Sequence, residues 1–317
     1  MASDNTRKFL EAAGWGAAAR EPLTGDASAR KYVRLRKRDR TAILMDASQL
    51  PEIVAPFVRI DTHLRQLGFS APEILARDEE NCLLLLEDFG DTTFAQLLER
   101  GSEPEKLFTL ATDVLIALHR HPQAVPEGLR AYSPEKMLED IGLFLDWRTP
   151  GISETGRAGF RKAWREVLPL AHAVPASLLL RDYHAANLML LPDRDGIRQT
   201  GLLDFQDAYQ GPVTYDLVSL LEDARRDVPE DLRKEMTARY LARFASLGRE
   251  AFEASLAILA ALRHTRVLAI FEKLAHEGKG DYKTLHSPRV ELLLQTALRH
   301  PMLAGVKRWF DRYDRQN

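Results

Sequence analysis

Cysteine is almost missing from this chain. Cys82 is the only one among 317 residues, so no disulfide can form within the chain and no cysteine-based zinc site can be built. It sits in the apolar run Cys82-Leu83-Leu84-Leu85-Leu86 and reads as a small buried hydrophobe. An excess of one charge is missing too. Lys and Arg total 44, Asp and Glu 46, for a net charge of -2. That balance lacks the electrostatic footprint of a nucleic-acid or anionic-membrane binder, and neither partner is expected. The one dense basic run, Arg34 to Arg40, is short and carries an acid, as a solvated strand end does. No uninterrupted stretch approaches the roughly 18 apolar residues of a membrane span, and Met1 to Arg20 lacks the apolar core of a signal peptide. A cytoplasmic location is therefore expected. The Gly-x4-Gly-Lys-Ser/Thr phosphate loop is absent, as are repeats and low-complexity linkers.

What is present looks like an ordinary globular protein, 45% hydrophobic and 28% charged. The length calls for one large domain or two lobes around a cleft. Residues 3 to 20 pattern as a helix with Phe9, Leu10, Ala13 and Trp15 on one side. Leu23 to Ser28 reads as a turn, and Lys31 to Arg36 and Thr41 to Met45 read as strands. Ile53 to Leu67 has helical spacing closed by Gly68, and Cys82 to Leu86 is a buried strand. Beyond residue 92 helices dominate, interrupted by short apolar strands at Leu178 to Leu180 and Leu202 to Asp204. The expected fold is α+β and bilobal: residues 1–90 form a small antiparallel sheet lobe, residues 91–317 a larger helical lobe, and the connection lies near 86–91.

The chemistry concentrates in two segments. Leu178-Leu179-Leu180-Arg181-Asp182-Tyr183-His184-Ala185-Ala186-Asn187 is an apolar strand that delivers an acid into a polar loop. Gly201-Leu202-Leu203-Asp204-Phe205-Gln206-Asp207 repeats the device. Taken singly, Asp182 and Asn187 fit turn caps and Asp204 fits a helix cap. Taken together at strand ends, they meet the requirements of phosphoryl transfer. One carboxylate must accept the proton of an attacking hydroxyl, a task that suits Asp182. Hard oxygen ligands must hold magnesium on the phosphates of a nucleotide, a task that suits Asn187 and Asp204.

Arg181-Asp182-x4-Asn187 with Asp204-Phe205-Gln206 resembles the catalytic and metal-binding loops of the aminoglycoside phosphotransferase and choline kinase families, relatives of the protein kinases. His184, two residues after Asp182, matches the small-molecule kinase version, and Gly211-Pro212-x2-Tyr215-Asp216-Leu217 resembles the segment after the metal-binding loop. The resemblance spans residues 20–312. It implies a protein-kinase-like fold, ATP and Mg2+ as cofactors, Asp182 as catalytic base, Asn187 and Asp204 as metal ligands, and His184 and Asp216 as supports of the catalytic loop. Leu86-Glu87-Asp88-Phe89 resembles the hinge, with the Glu87 carbonyl and Phe89 amide facing adenine. Two departures stand out. Leu180 occupies the place of the first histidine of a His-Gly-Asp motif. Met45 ends the strand that should present the phosphate-binding lysine, and Ile53 to Leu67 lacks the glutamate that would pair with it, its nearest acids being Glu52 and Asp61. Positive charge for the phosphates then falls to Arg30, Lys31 and Arg34, next to the small-residue turn holding Gly25 and Ser28, whose backbone N–H groups suit phosphate oxygens.

Gly25-Asp26-Ala27-Ser28-Ala29-Arg30-Lys31-Tyr32, Met45-Asp46-Ala47 and the Arg263-to-Phe271 segment resemble the anomeric sugar kinases of cell-wall recycling, which act on C1 of N-acetylmuramate and N-acetylglucosamine. Asp207, Asp223, Arg225, Arg263 and Arg266 are the candidate acceptor contacts. An arginine among them would meet an acidic sugar, whereas solvated helix faces are the plain alternative for each. An aminoglycoside or amino-alcohol kinase, and a nucleotide-binding pseudokinase regulator, remain as other readings. The partner expected is a small molecule, and the chain is expected to be a monomer or weak dimer.

Overall fold

The computed structural model describes residues 4–23, 30–244 and 247–314. Helix α1 (Asp4–Ala12) leads into strands β1 (Ala19–Leu23), β2 (Lys31–Lys37) and β3 (Arg40–Asp46). Helix α2 (Val54–Gln66), strands β4 (Ile74–Asp78) and β5 (Leu83–Leu86) and the short helix α3 (Phe94–Glu99) follow. Helices α4 (Pro104–Arg120), α5 (Pro134–Trp147) and α6 (Glu154–Val167) precede four short strands: β6 (Ala176–Leu179), β7 (Leu188–Leu190), β8 (Thr200–Leu202) and β9 (Tyr209–Pro212). The chain ends in helices α7 (Thr214–Leu221), α8 (Glu230–Leu241), α9 (Arg249–His276), α10 (Asp281–Ala297) and α11 (Ala304–Tyr313). It divides into two compact units. One holds the described residues through Glu103 together with Ala186–Ala208, the other Pro104–Ala185 together with those from Tyr209 onward.

The first unit is built on a five-stranded antiparallel sheet in the order β1-β2-β3-β5-β4. The helix expected over residues 3–20 stops early. Gly14 takes φ 76°, which ends α1, and the chain turns into edge strand β1. Pro22 lies in that strand, which a sheet tolerates at an edge where one row of backbone donors goes unused. Phe9, Leu10 and Trp15 still face inward, packed with Leu35, Ala42, Leu44, Leu83 and Leu85. β5 is buried along its whole length, and Cys82 beside it is buried as well. Met45 is fully buried on β3 opposite Leu84.

In the second unit the core gathers around α9. Phe144, Phe160, Trp164, Trp309 and Phe310 pack from the flanking helices into the same cluster as Ile258, Leu262 and Leu268 of α9. By length and composition α9 passes the test for a membrane span, unlike the expectation from uninterrupted apolar runs, but 72% of the apolar stretch is buried inside the fold. Its apolarity meets the demand of a helix surrounded by protein.

One buried acid in the first unit has a measurable consequence. Asp61 on α2 is 1% exposed and its Oδ2 has no hydrogen-bond partner. Burial pushes its pKa up to about 7, against the lowering charge of Arg65 and with some reinforcement from Glu87. The folded state therefore keeps a proton that the unfolded chain releases above the ordinary carboxylate range. Stability falls as pH rises from about 4 towards 7, by up to about 1.4 kcal/mol per pH unit, and flattens above. Asp61→Asn should remove this slope, gaining relative to wild type between pH 5 and pH 7 in urea unfolding. Parallel stability curves would show that Asp61 ionises freely in the fold.

Candidate active site

Strands β6 and β9 pair antiparallel, with Leu179 opposite Tyr209, and the chain leaves β6 through Leu180, Arg181 and Asp182. This turn is held by Asp216 on α7. Its buried carboxylate accepts the amide of Leu180 at 2.6 Å through Oδ2 and that of Arg181 at 2.9 Å through Oδ1. Arg181 adopts φ 67°, a left-handed conformation rare for residues with a side chain, and Ser219 Oγ donates to its carbonyl at 3.2 Å. Burial raises the pKa of Asp216 to about 7, although the two amides and the charge of Arg181 work in the other direction.

The Arg181 side chain is buried, with its guanidinium 4.8 Å from the ring of Tyr132 and 5.1 Å from that of Tyr209. It donates to Asp140 on α5 at 2.7 Å. Asp140 also accepts from the Tyr132 hydroxyl at 3.0 Å, pairs with Lys136 at 3.0 Å and lies 3.9 Å from Arg266. No local pattern in α5 singles out Asp140, which only the folded chain brings to Arg181.

Asp182 sits among cations. Burial acts to raise its pKa, but the charges of Arg266, Arg181 and Arg263 outweigh it and hold the carboxyl below its ordinary value. Asp182 is thus ionised at neutral pH and able to accept a proton. His184 is buried; burial first, and the charges of Arg225 and Arg263 as well, depress its pKa against the pull of Asp223 and Asp182. The imidazole is therefore neutral. Asp223 is buried and caps the amide of Arg225 at 2.9 Å. Arg263, also buried, reaches the carbonyl of Glu222 at 3.4 Å, and the Glu222 carboxylate meets His264 at 2.6 Å. The sequence candidates Asp182, His184, Asp223, Arg225, Arg263 and Arg266 are thus one electrostatic neighbourhood within the second unit.

Asn187, Asp204 and Asp207, with Arg30, Arg34, Glu87 and Phe89, belong to the first unit. Leu188 on β7 faces Leu202 on β8, and Leu203 N donates to Asn187 O at 3.0 Å. This hairpin brings Asn187 beside Asp204, whose φ of 60° is again left-handed. Asn187 Nδ2 lies 3.5 Å from Asp204 Oδ2, and Gln206 Nε2 donates to Asp204 Oδ1 at 3.1 Å and lies 3.5 Å from Asp207 Oδ2. Arg30 donates to Gln206 Oε1 at 3.0 Å and pairs with Asp204. Phe205 is buried against Phe57 of α2, with ring centroids 5.0 Å apart. Gln206 was legible only as part of the motif, without a role.

An amide and a carboxylate side by side, the carboxylate already drawing a cation, fit a hard divalent ion. Among the described residues no group of three or more His, Cys, Asp or Glu side chains is arranged to hold a metal. Magnesium in nucleotide sites needs only one or two carboxylates, because phosphates complete its shell.

Arg34 has other partners than a phosphate. Its guanidinium meets Asp88 at 2.8 Å, Asp91 at 2.6 Å and the Gly90 carbonyl at 3.0 Å, with the side chains of Arg34 and Asp88 both 4% exposed. It knits β2 to the connector. Glu87 pairs with Arg194 and lies 3.8 Å from Arg65. The Phe89 ring lies 5.2 Å from the Arg194 guanidinium and lines Gly201 so closely that a Cβ there would come within 2.7 Å of it. Gly25 and Ser28 lie outside the described residues.

A strand-end acid braced from behind by a buried carboxylate, and a second strand-end acid beside an asparagine, describe a phosphotransferase. The profile of the phosphotransferase enzyme family matches residues 19–266, and the chain belongs to that family. It is 35% identical to the N-acetylmuramate/N-acetylglucosamine kinase of Caulobacter vibrioides, over 96% of this chain and 94% of that one. It is also 35% identical to the kinase of the same name from Pseudomonas aeruginosa, over 94% and 90% of the two chains. Among solved structures, choline kinase LicA from Streptococcus pneumoniae superposes with a TM-score of 0.64 at 14% identity, covering 93% of this chain and 100% of that one. ADP-bound aminoglycoside phosphotransferase APH(2'')-Ib gives 0.61 at 14% identity, over 95% and 99%. These likenesses give the protein-kinase-like fold.

The Asp216 brace is directly testable. Asp216→Ala leaves two buried amides without an acceptor, and each such loss costs about 1–3 kcal/mol. Denaturant unfolding should show a loss of about 2–5 kcal/mol. A loss below about 1 kcal/mol would mean that the loop amides find other partners.

Proposed function

We propose that this protein transfers the γ-phosphate of ATP to the C1 hydroxyl of N-acetylmuramate or N-acetylglucosamine, in recycling of cell-wall sugars. One observation carries the choice of acceptor: Asp182, the base, is set among Arg266, Arg181 and Arg263. That surround favours an acceptor bearing a carboxylate and disfavours a polycationic antibiotic. The shared length and identity with two kinases of that name support the same acceptor.

In this mechanism the ionised Asp182 takes the proton of the C1 hydroxyl as its oxygen attacks phosphorus. His184 is neutral and buried, and Asp216 fixes the loop backbone. Asn187 and Asp204 would hold Mg2+, which when bound offsets the negative charge of the phosphates. With Met45 in place of a lysine, Arg30 and the backbone amides of Gly25 and Ser28 supply positive charge to the phosphates. The Glu87 carbonyl and Phe89 amide meet the adenine edge. Residues 1–90 act as the nucleotide-binding lobe with its hinge at 86–91, and residues 91–317 carry the acceptor site. Asp223, Arg225, Arg263 and Arg266 line that site, and Asp207 flanks the metal loop. The protein works in the cytoplasm on a small molecule, as a monomer or weak dimer.

ATP consumption measured against N-acetylated sugars, aminoglycosides and amino alcohols tests this reading. Turnover should appear with the N-acetylated sugars, and Asp182→Asn should lower kcat by about a hundredfold or more. Turnover confined to aminoglycosides or choline-like alcohols would overturn the acceptor, and turnover indifferent to Asp182→Asn would overturn the mechanism.

Arg266 separates the two sugars. It is partly exposed, and Asp140, 3.9 Å away, is already engaged by Arg181 and Lys136. Arg266→Gln should lower kcat/KM for N-acetylmuramate by about 10- to 100-fold, the worth of one charge-assisted bond, while N-acetylglucosamine changes by no more than about threefold. Equal losses for both sugars would assign Arg266 to Asp182 alone.

A further inference from the structure

We propose that Arg30 is a built-in counter-ion that occupies the Asp204 carboxylate in the nucleotide-free enzyme and is transferred to phosphate oxygens when nucleotide binds. The inference rests on the reading of Asp204 as a metal ligand, and it adds a second state to that residue.

The geometry that carries it lies wholly within the first unit. Arg30 immediately precedes β2, and its side chain is 10% exposed. One arm of the guanidinium donates to Gln206 Oε1 at 3.0 Å and the other pairs with Asp204 Oδ1. Gln206 Nε2 donates to the same Oδ1 at 3.1 Å, and Asn187 presents its Nδ2 to Oδ2 at 3.5 Å. Both oxygens of the carboxylate therefore face donors. This is a carboxylate satisfied by protein, with a guanidinium and two amide groups standing where a cation would be held.

Two consequences follow from the chemistry. Asn187 turns its NH2 towards Asp204, so ligation through its oxygen requires the side-chain amide to rotate by half a turn. Arg30 competes with any divalent cation for Oδ1. The guanidinium is never neutral, and its planar fork fits a phosphate as well as a carboxylate. Release from Asp204 therefore leaves a charged fork next to the site, and the phosphates are the anion that can take it. Met45 sharpens this role: it is fully buried and apolar at the lysine position, so β3 offers no cation there. A lysine held by a helix glutamate would give separate cations to phosphate and metal ligand. Here one arginine serves both in turn, which couples metal entry to nucleotide entry.

Arg30→Gln keeps a polar partner for Gln206 and removes the charge. Two binding measurements on the intact protein then move in opposite directions. Mn2+ binding to nucleotide-free protein, read by electron paramagnetic resonance of the free ion, should tighten by about five- to tenfold, because Asp204 has lost its competitor. ADP binding in EDTA, read by calorimetry, should weaken by about five- to tenfold, because the phosphates have lost a cation. Arg30→Lys, which retains the charge, should restore ADP binding towards wild type. Asp204→Asn should abolish the Mn2+ signal in both backgrounds. Mn2+ affinity that stays unchanged or weakens in Arg30→Gln, with Asp204→Asn still abolishing it, would overturn the counter-ion role and leave Asp204 as metal ligand. Mn2+ binding unaffected by Asp204→Asn would overturn the metal assignment itself, and the inference with it. Joint weakening of both ligands in Arg30→Gln would mark Arg30 as a structural brace, also against the proposal.

Discussion

The contact between the Asp216 carboxylate and the amides of Leu180 and Arg181 is the constraint on which the second unit's chemistry hangs. A strand that ends inside a protein leaves backbone donors that water cannot reach. Asp216, fully buried on α7, takes two of them. With these amides fixed, Arg181 is held in a left-handed conformation, its side chain turns onto Tyr132, Tyr209 and Asp140, and Asp182 is the next residue out. The placement of Asp182 thus follows from how a buried strand end is satisfied. The same brace explains why Leu180 is tolerated where a histidine is usual, because the position contributes its amide and not its side chain.

Charge is arranged differently in the two units. Around Asp182 the charges of Arg266, Arg181 and Arg263 keep the carboxylate ionised in spite of burial. Around Asp204 a single arginine is shared by a carboxylate and an amide. A buried arginine also serves as mere structure: Arg34 is consumed by Asp88, Gly90 and Asp91. Arg30 and Arg34, four residues apart at the start of one strand, look alike in sequence, yet their partners give them different work.

Much of this was legible from sequence, for definite reasons. Apolar strands that end on Asp182 and Asp204 leave a local signature, because burial and polarity alternate over a few residues. The sheet and the helical remainder followed from periodicity, and the α+β kinase-like fold is as expected. Features set by distance along the chain were not legible. β1 is exposed and carries Pro22, so it shows no alternation, and its first two residues, Ala19 and Arg20, read as the end of the preceding helix. The β7–β8 hairpin returns to the first unit, anchored by Leu202 N to Ser70 O at 2.8 Å and Leu190 N to Thr92 O at 2.9 Å, pairings with no local mark. Asp140 and Gln206 gain meaning only from partners far away in sequence. The apolar character of α9 is broken by charges, so uninterrupted runs understate it.

In the proposed reaction the Asp182 carboxylate, ringed by arginine, activates the anomeric hydroxyl of an acidic amino sugar. The most direct measurement is phosphorus–proton correlation NMR of the product formed from ATP and N-acetylmuramate. One new phosphorus resonance coupled to the anomeric proton of the sugar is expected. A phosphorus coupled to any other sugar proton, or inorganic phosphate as the sole product, would contradict it.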